Sequence, residues 1–182
     1  MLPQSPTPQQ RQWAKMVAET HHNALTRYAF SICRNRERAE DAVQETYVRL
    51  LNQDRRKIDT HIKPWLLRVC RSRILDMARK EGRMTILDAS ILEQRPALRP
   101  QPRQRAESRD LADLLLSFVE QLSPSQQEVV RLKFQTGLSY KEIAQVTKKS
   151  VNHVGVLLHQ ALKRLKVLLL ESDSSPFSEL NK

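Results

Sequence analysis

The feature that most limits what this chain can fold into is a series of three helix starts between residues 122 and 169, at Ser123, Ser139 and Ser150. A serine hydroxyl can accept hydrogen bonds from the unpaired backbone N–H groups of a first helical turn. Ser139 is also followed three residues later by Glu142, which completes a capping box. Three starts at this spacing predict short helices joined by tight turns.

The third of these helices is amphipathic. Its apolar stripe has helical spacing and consists of Val151, Val154, Leu158, Ala161, Leu162, Leu165, Leu168 and Leu169. Its polar side carries Asn152, His153, His159, Gln160, Lys163, Arg164 and Lys166. Two short helices joined by a tight turn form a helix-turn-helix, whose last helix can enter the major groove of DNA. The same residues also allow an ordinary three-helix bundle with a solvated charged face.

The charge and composition of the chain narrow its partners and its fold class. The formal net charge is +11 and the pI is about 10.1, which favours nucleic acid over an acidic membrane surface. Residues 1–83 hold 17 Lys and Arg against 9 Asp and Glu, so most of the surplus lies outside the helix-turn-helix. Only three glycines, few aromatic residues and many helix formers predict an all-α fold.

The two cysteines predict no disulfide and no metal site. Cys33 and Cys70 lie in helical apolar patterns without closely spaced cysteine or histidine partners, so they are expected to be buried thiols in a reducing compartment. The chain also has no apolar run of membrane-spanning length, and residues 1–10 do not have the order of a signal peptide. We therefore expect a cytoplasmic protein that needs no cofactor.

The N-terminal half predicts three more helices, at residues 9–33, 36–52 and 64–82, with a polar loop at residues 53–63. The expected architecture is two small helical domains joined by a flexible linker, the second domain being the helix-turn-helix. The predicted divisions are a disordered N-terminus (1–8), a basic helical domain (9–83), a proline-containing linker (84–108), the helix-turn-helix domain (109–171) and a tail (172–182).

The predicted helix at residues 64–82 is strongly basic. Its cations are Arg68, Arg71, Arg73, Arg79 and Lys80, with only Asp76 and Glu81 to offset them. Like charges on one helix repel each other unless a polyanion neutralises them. The helix therefore favours nucleic acid as its partner over a merely solvated charged face.

Three stretches of the chain carry a likeness to one family. They are residues 38–50 (RAEDAVQETYVRL), residues 64–80 (PWLLRVCRSRILDMARK) and residues 122–165, which contain LSP, GLSYKEIA and HQALKRL. In this order they resemble the acidic helix, the promoter-melting helix and the second domain of bacterial RNA polymerase sigma factors of the extracytoplasmic-function (ECF) type. The helix-turn-helix alone would also be similar to that of many activators, but two domains in this order are specific.

The resemblance implies a sigma factor, which binds core RNA polymerase and directs promoter-specific transcription initiation. It implies that the acidic side of the second helix docks on the coiled coil of the polymerase β′ subunit, while the second domain meets the β flap. The docking residues carried over are Asp41, Gln44 and Glu45. Carboxylates suit a basic partner helix, although without the resemblance they would be read as a solvated acidic stripe. An anti-sigma factor is a further partner that relatives commonly have.

The resemblance also implies two DNA-binding surfaces. The basic helix would hold the −10 element and the melted non-template strand through Trp65, Arg68, Arg71, Arg79 and Lys80. A lone tryptophan at a helix start is, however, usually a core residue. The last helix would read the double-stranded −35 element through Ser150, Asn152, His153, His159, Gln160, Lys163 and Arg164. The linker would run through the polymerase toward the RNA exit path.

The chain departs from the family pattern in two places. Many members have a glycine-containing turn where this chain has residues 147–149, Thr-Lys-Lys. Many also carry Lys, Ser and Arg where this chain has Gly155, Val156 and Leu157, none of which is charged or long and polar. Because these three residues cannot hydrogen-bond to bases through their side chains, the −35 element is expected either to be recognised by Asn152, His153 and His159 or to be recognised weakly.

Two other functions use the same residues. A stand-alone helix-turn-helix regulator would bind DNA as a dimer over spaced half-sites, but the chain has no obvious dimerisation zipper. A nuclease could use Asp41, Glu45 and Asp76 on a metal ion, but the sequence has no further ligand at a suitable spacing and no phosphate-binding loop. We therefore expect that the protein is not an enzyme.

Overall fold

The computed structural model describes residues 6–80 and 116–173, and within these ranges nearly every residue is helical and none is in a strand. The predicted all-α fold with two helical domains is confirmed. The predicted linker, residues 1–5 and the end of the tail lie outside the described residues, as do Glu81 and Gly82. Residues 109–115 of the predicted helix-turn-helix domain also lie outside them.

The helices of the first domain are α1 (Pro8–Cys33), α2 (Arg36–Leu51), a short α3 (Arg55–Ile58) and α4 (Ile62–Lys80), with a 3-10 turn at Asp59–His61. In the second domain, residues 116–120 are helical ahead of the first labelled helix. The second domain contains α5 (Pro124–Val130), a π turn (Arg131–Gln135), α6 (Tyr140–Thr147) and α7 (Val151–Asp173). Elements α5 to α7 are the predicted helix-turn-helix and the helix that leads into it.

The first domain is a three-helix core in which α1, α2 and α4 pack on one another. Its fully buried side chains include Leu25 from α1, Leu50 from α2 and Leu66 from α4. Cys70 also lies in this core, and burial raises the pKa of its thiol to about 12, so it remains a protonated, apolar group at neutral pH. Cys33, at the end of α1, is only half-buried, so the prediction of a buried thiol is wrong for this residue.

Two boundaries of the first domain differ from the sequence predictions. Helix α1 begins at Pro8 because Thr7 and Gln10 form a capping box, so residues 7 and 8 belong to a helix start and not to a disordered segment. The predicted loop at residues 53–63 is mostly helical. The Asp54 side chain caps α3 by accepting from the Arg56 N–H, and Ile58 is buried, which holds the turn against the core.

The second domain follows the capping pattern of its sequence. Ser123 and Ser139 each form a complete capping box, and the Ser150 hydroxyl accepts a hydrogen bond from the His153 N–H at 3.1 Å. Gly137 has a φ of 72° after the π turn, and Lys148 has a φ of 57° after α6. The three predicted helix starts are therefore confirmed, and both turns use a left-handed residue.

The two domains touch through α4, which packs against α6. Lys63 at the start of α4 donates from Nζ to the backbone carbonyl of Thr136. At the other side of the contact, Tyr28 from α1 and Arg71 from α4 both reach Glu128 on α5. These contacts join the domains directly, and sequence periodicity gave no sign of them.

Candidate nucleic-acid and protein interfaces

The acidic side of α2 faces solvent. Asp41 and Gln44 are exposed and Glu45 is half-buried, while Ala42 and Val43 point into the core. The Glu45 carboxylate pairs with Arg49 one turn later at 3.3 Å, and this pair is open to water. The three predicted docking residues therefore share one accessible face of a helix whose other face is anchored.

A groove of about 590 Å³ lies beside this face, between α1 and α2. Its lining residues are His22, Thr26, Arg27, Phe30, Arg36, Ala39, Glu40 and Gln44. Phe30 is an exposed aromatic residue in the groove, and Gln44 belongs to both the groove and the acidic face. The groove was not predicted from the sequence, because it depends on how α1 and α2 pack on each other.

The basic helix α4 divides its predicted DNA-binding residues between two environments. Arg68, Arg79 and Lys80 are exposed, and Arg79 makes a loose pair with Asp76 at 3.5 Å. Trp65 is only 7% exposed and belongs to the core of the first domain. The prediction that Trp65 contacts DNA is corrected here, because its ring cannot stack on a base while it fills the core.

Arg71, the remaining predicted DNA contact of α4, lies between the domains. Its guanidinium donates to both oxygens of the Glu128 carboxylate, at 2.8 and 3.3 Å, and the Tyr28 hydroxyl donates to the same carboxylate at 2.8 Å. The two charged side chains are 11% and 10% exposed. Arg71 is therefore satisfied inside the protein, and it could reach DNA only if the two domains moved apart.

The electrostatics of the cluster formed by Arg71, Glu128 and Tyr28 favour a charged guanidinium and a neutral tyrosine hydroxyl. Burial tends to lower the pKa of Arg71, but the nearby Glu128 carboxylate outweighs it and the net shift is upward. Burial, with the adjacent Glu128 carboxylate, raises the pKa of Tyr28 well above its usual value, so its hydroxyl stays a donor. Both oxygens of the Glu128 carboxylate accept hydrogen bonds, and its donors are the Arg71 guanidinium and the Tyr28 hydroxyl. These hydrogen bonds offset the free-energy cost of removing the two charges from water.

The last helix, α7, presents all of its predicted DNA contacts to solvent. The exposed residues are Ser150, Asn152, His153, His159, Gln160, Lys163 and Arg164. On the other side, Val154, Leu158 and Ala161 are fully buried against α5 and α6. The helix is thus held by an apolar stripe, and a polar face rich in amides, imidazoles and cations is left open.

The three residues that depart from the family pattern have three different environments. Leu157 is buried at 4% exposure, and Gly155 is half-buried, with the Tyr140 ring 3.9 Å from where a Cβ would stand. Val156 is 52% exposed and lies on the polar face. Only Val156 therefore takes part in the surface that could meet DNA.

Two features of residues 6–80 and 116–173 bear on the other functions considered above. No three His, Cys, Asp or Glu side chains come together there as metal ligands, so Asp41, Glu45 and Asp76 do not converge on one point. No helix in the same ranges is both long and apolar enough to cross a membrane.

Comparison with known proteins assigns both domains. The model of the family described as Sigma-70 region 2 matches residues 17–84, and that of Sigma-70, region 4 matches residues 112–165. The chain is similar to the ECF RNA polymerase sigma factor SigM of Bacillus subtilis (strain 168), with 27% identity over 84% of this chain and 92% of that protein. It is also similar to the RNA polymerase sigma factor SigV of the same strain, with 27% identity over 85% of this chain and 90% of that protein.

Other relatives agree with this assignment. The ECF RNA polymerase sigma factor SigE of Mycolicibacterium smegmatis is 28% identical over 89% of this chain and 63% of that protein. The fold is similar to that of the sigma factor RpoE in its co-crystal structure with the anti-sigma factor NepR from Bartonella quintana, with a TM-score of 0.55 and 23% identity over 85% of this chain and 95% of that chain. Together the two region models match more than half of the chain, in the order region 2 then region 4, and the protein therefore belongs to the ECF group of the sigma-70 family of RNA polymerase sigma factors.

Proposed function

We propose that this protein binds core RNA polymerase and directs it to start transcription at specific promoters. The observation that carries the proposal is the presence of region 2 and region 4 in one chain, because a regulator that only binds DNA needs a single helix-turn-helix. The family acts in initiation and not as enzymes. Such a protein works where the bacterial polymerase is, in the cytoplasm.

The polymerase-binding surface of the proposal is the acidic face of α2, formed by Asp41, Gln44 and Glu45. Its carboxylates are open to solvent, and the buried side of the helix fixes their direction. A basic coiled coil, such as the one we propose on the β′ subunit, would be steered to this face by charge. The β flap would be the partner of the second domain.

The DNA-binding surfaces of the proposal lie on separate domains. Arg68, Arg79 and Lys80 of α4 would hold the backbone of the −10 element and its melted non-template strand, since exposed cations track phosphates. The polar face of α7 would enter the major groove of the double-stranded −35 element. Two DNA-binding surfaces on separate domains suit a promoter, in which the −10 and −35 elements are separated by a stretch of DNA.

An anti-sigma factor is a further proposed partner. The support is that the fold matches a sigma factor whose crystal structure was determined together with one. The groove between α1 and α2 adjoins the proposed polymerase-binding face, so a protein seated there would compete with polymerase.

The experiment that tests the polymerase surface reverses its charge. The Asp41→Lys, Glu45→Lys variant should lose binding to purified core polymerase, measured by fluorescence anisotropy of the labelled sigma factor. A matched control is Glu19→Lys, which reverses an exposed carboxylate on α1 that is 65% exposed and outside the proposed surface. Circular dichroism should show both variants folded.

The outcome decides the assignment of α2. If the double variant binds core polymerase with unchanged affinity, the acidic face is only a solvated surface and the polymerase-binding residues lie elsewhere. If Glu19→Lys loses binding to the same degree, the effect reports net charge and not this face.

A further inference from the structure

Val156 is an exposed apolar residue on the polar face of α7. Val151 and Leu162 are also exposed, at 43% and 46%, but the helical repeat places both on a different side of the helix from Val156. Val156 is 52% exposed, whereas Val154 and Leu157 beside it are 0% and 4% exposed. Leaving a valine side chain half exposed to water costs little free energy, and covering it with an apolar partner would be favourable. An isolated exposed valine is ordinary on a protein surface, so its neighbours decide whether it has a role.

The neighbours of Val156 are the polar residues that face outward from α7. Since an α-helix has 3.6 residues per turn, Asn152 lies one turn before Val156, and His159 and Gln160 lie one turn after it. Lys163 follows two turns later on the same face, and all four are exposed. Val156 therefore stands near the centre of the surface that the proposed function turns toward bases.

The major groove has one apolar group that suits such a residue. Of the base edges there, only thymine carries a methyl group, and small apolar side chains read it by contact. The amides of Asn152 and Gln160, one turn to either side, are of the type that pairs with adenine. A valine between two such amides is therefore placed to contact a thymine in an element that contains A·T pairs.

We propose that Val156 is a specificity-determining residue that reads the 5-methyl group of a thymine in the upstream promoter element. This rests on the proposed function, because it places α7 in the major groove of that element. The upstream element is read by a mixed surface of amides and one apolar side chain.

The test removes the methyl group from the DNA without changing any hydrogen bond. Each thymine of the upstream element, located by transcription on genomic DNA, is replaced by deoxyuridine, and the affinity of the polymerase holoenzyme for the promoter duplex is measured by competition. One replacement should weaken binding about fourfold, which corresponds to burying one methyl group. Holoenzyme with Val156→Ala should bind the thymine duplex more weakly and no longer distinguish it from the uracil duplex.

The matched control is Val167→Ala. Val167 is another exposed valine on the same side of α7, eleven residues later and so about 16 Å along the helix, away from the N-terminal part that reads bases. This variant should keep the full preference for thymine over uracil. A double-mutant cycle then assigns the methyl contact to Val156 specifically.

Two results would overturn the inference in different ways. If the wild-type holoenzyme selects its promoter but no thymine replacement changes affinity, or if Val156→Ala keeps the preference, Val156 does not read a methyl group while the proposed function stands. If the holoenzyme selects no promoter at all, the proposed function fails and the assignment of Val156 falls with it.

Discussion

At the scale of single residues, the turn between α6 and α7 depends on one backbone conformation. Lys148 has a φ of 57°, in the left-handed region, and its N–H donates to the Ala144 carbonyl to close α6. A side chain with a Cβ is strained there, and glycine is not. The chain therefore forms this turn with a lysine in a backbone conformation that favours glycine.

Replacing Lys148 by glycine should therefore stabilise the protein by up to about 1 kcal/mol, since the relief of strain exceeds the added freedom of the unfolded chain. Urea unfolding followed by circular dichroism measures the change. Lys149→Gly is the matched control, because Lys149 has no positive φ, and it should destabilise by about 0.4–1 kcal/mol. Equal effects of the two substitutions would show that the turn is not strained at Lys148.

At the scale of helices, the sequence predicted most of what local rules govern. The serine caps, most of the apolar stripe of α7 and the exposure of its polar residues follow from spacing alone, because capping and amphipathicity are local. The stripe was predicted too wide, since Val151, Leu162 and Leu169 are exposed.

The helical turns at residues 55–61 were missed because a run of charged residues hides the single buried Ile58. The burial of Trp65 agrees with the usual place of a lone tryptophan at a helix start. The pairing of Arg71 could not be predicted from spacing, since its partner Glu128 lies in the other domain.

The polar face of α7 carries cations that are expected to hold the DNA backbone, and this can be tested at Lys163. Lys163 is exposed and lies beyond the N-terminal third of the helix, where cations hold phosphates and not bases. Lys163→Ala should weaken binding of the holoenzyme to every DNA sequence. The slope of log K against the logarithm of the salt concentration should become less steep by about one, because one phosphate contact is lost. Filter binding across a salt series measures both quantities.

The control for that series is Lys15→Ala, which removes an exposed cation from α1 and should leave the salt slope unchanged. A loss of affinity that is confined to one promoter would mean that Lys163 reads a base. It would then belong with Asn152 and Gln160 among the specificity residues.

At the scale of the whole molecule, one buried cluster joins the two domains. Glu128 of the second domain accepts hydrogen bonds from Tyr28 and Arg71 of the first, largely out of water. Exposed pairs such as Lys15 with Glu19 contribute little, because solvent screens them. The arrangement of the domains in this structure therefore depends more on this cluster than on the surface ion pairs.

Removing the carboxylate from the cluster should be costly. Glu128→Ala leaves the Arg71 guanidinium without its partner between the domains, and we expect a loss of about 3 kcal/mol in the free energy of unfolding, measured in urea. Glu19→Ala, which breaks an exposed pair, should change it by no more than about 0.5 kcal/mol. If Glu128→Ala were as mild as Glu19→Ala, the cluster would not hold the domains together.

The central claim is that this protein gives core polymerase its promoter specificity, and transcription in vitro tests it most directly. Purified protein is mixed with sigma-free bacterial core polymerase and sheared genomic DNA from the source organism, and the transcripts are sequenced from their 5′ ends. We predict discrete start sites, absent without the protein, that share two spaced upstream elements. No new start sites, together with no stable complex on core polymerase, would contradict the claim and leave a helix-turn-helix protein that binds DNA alone.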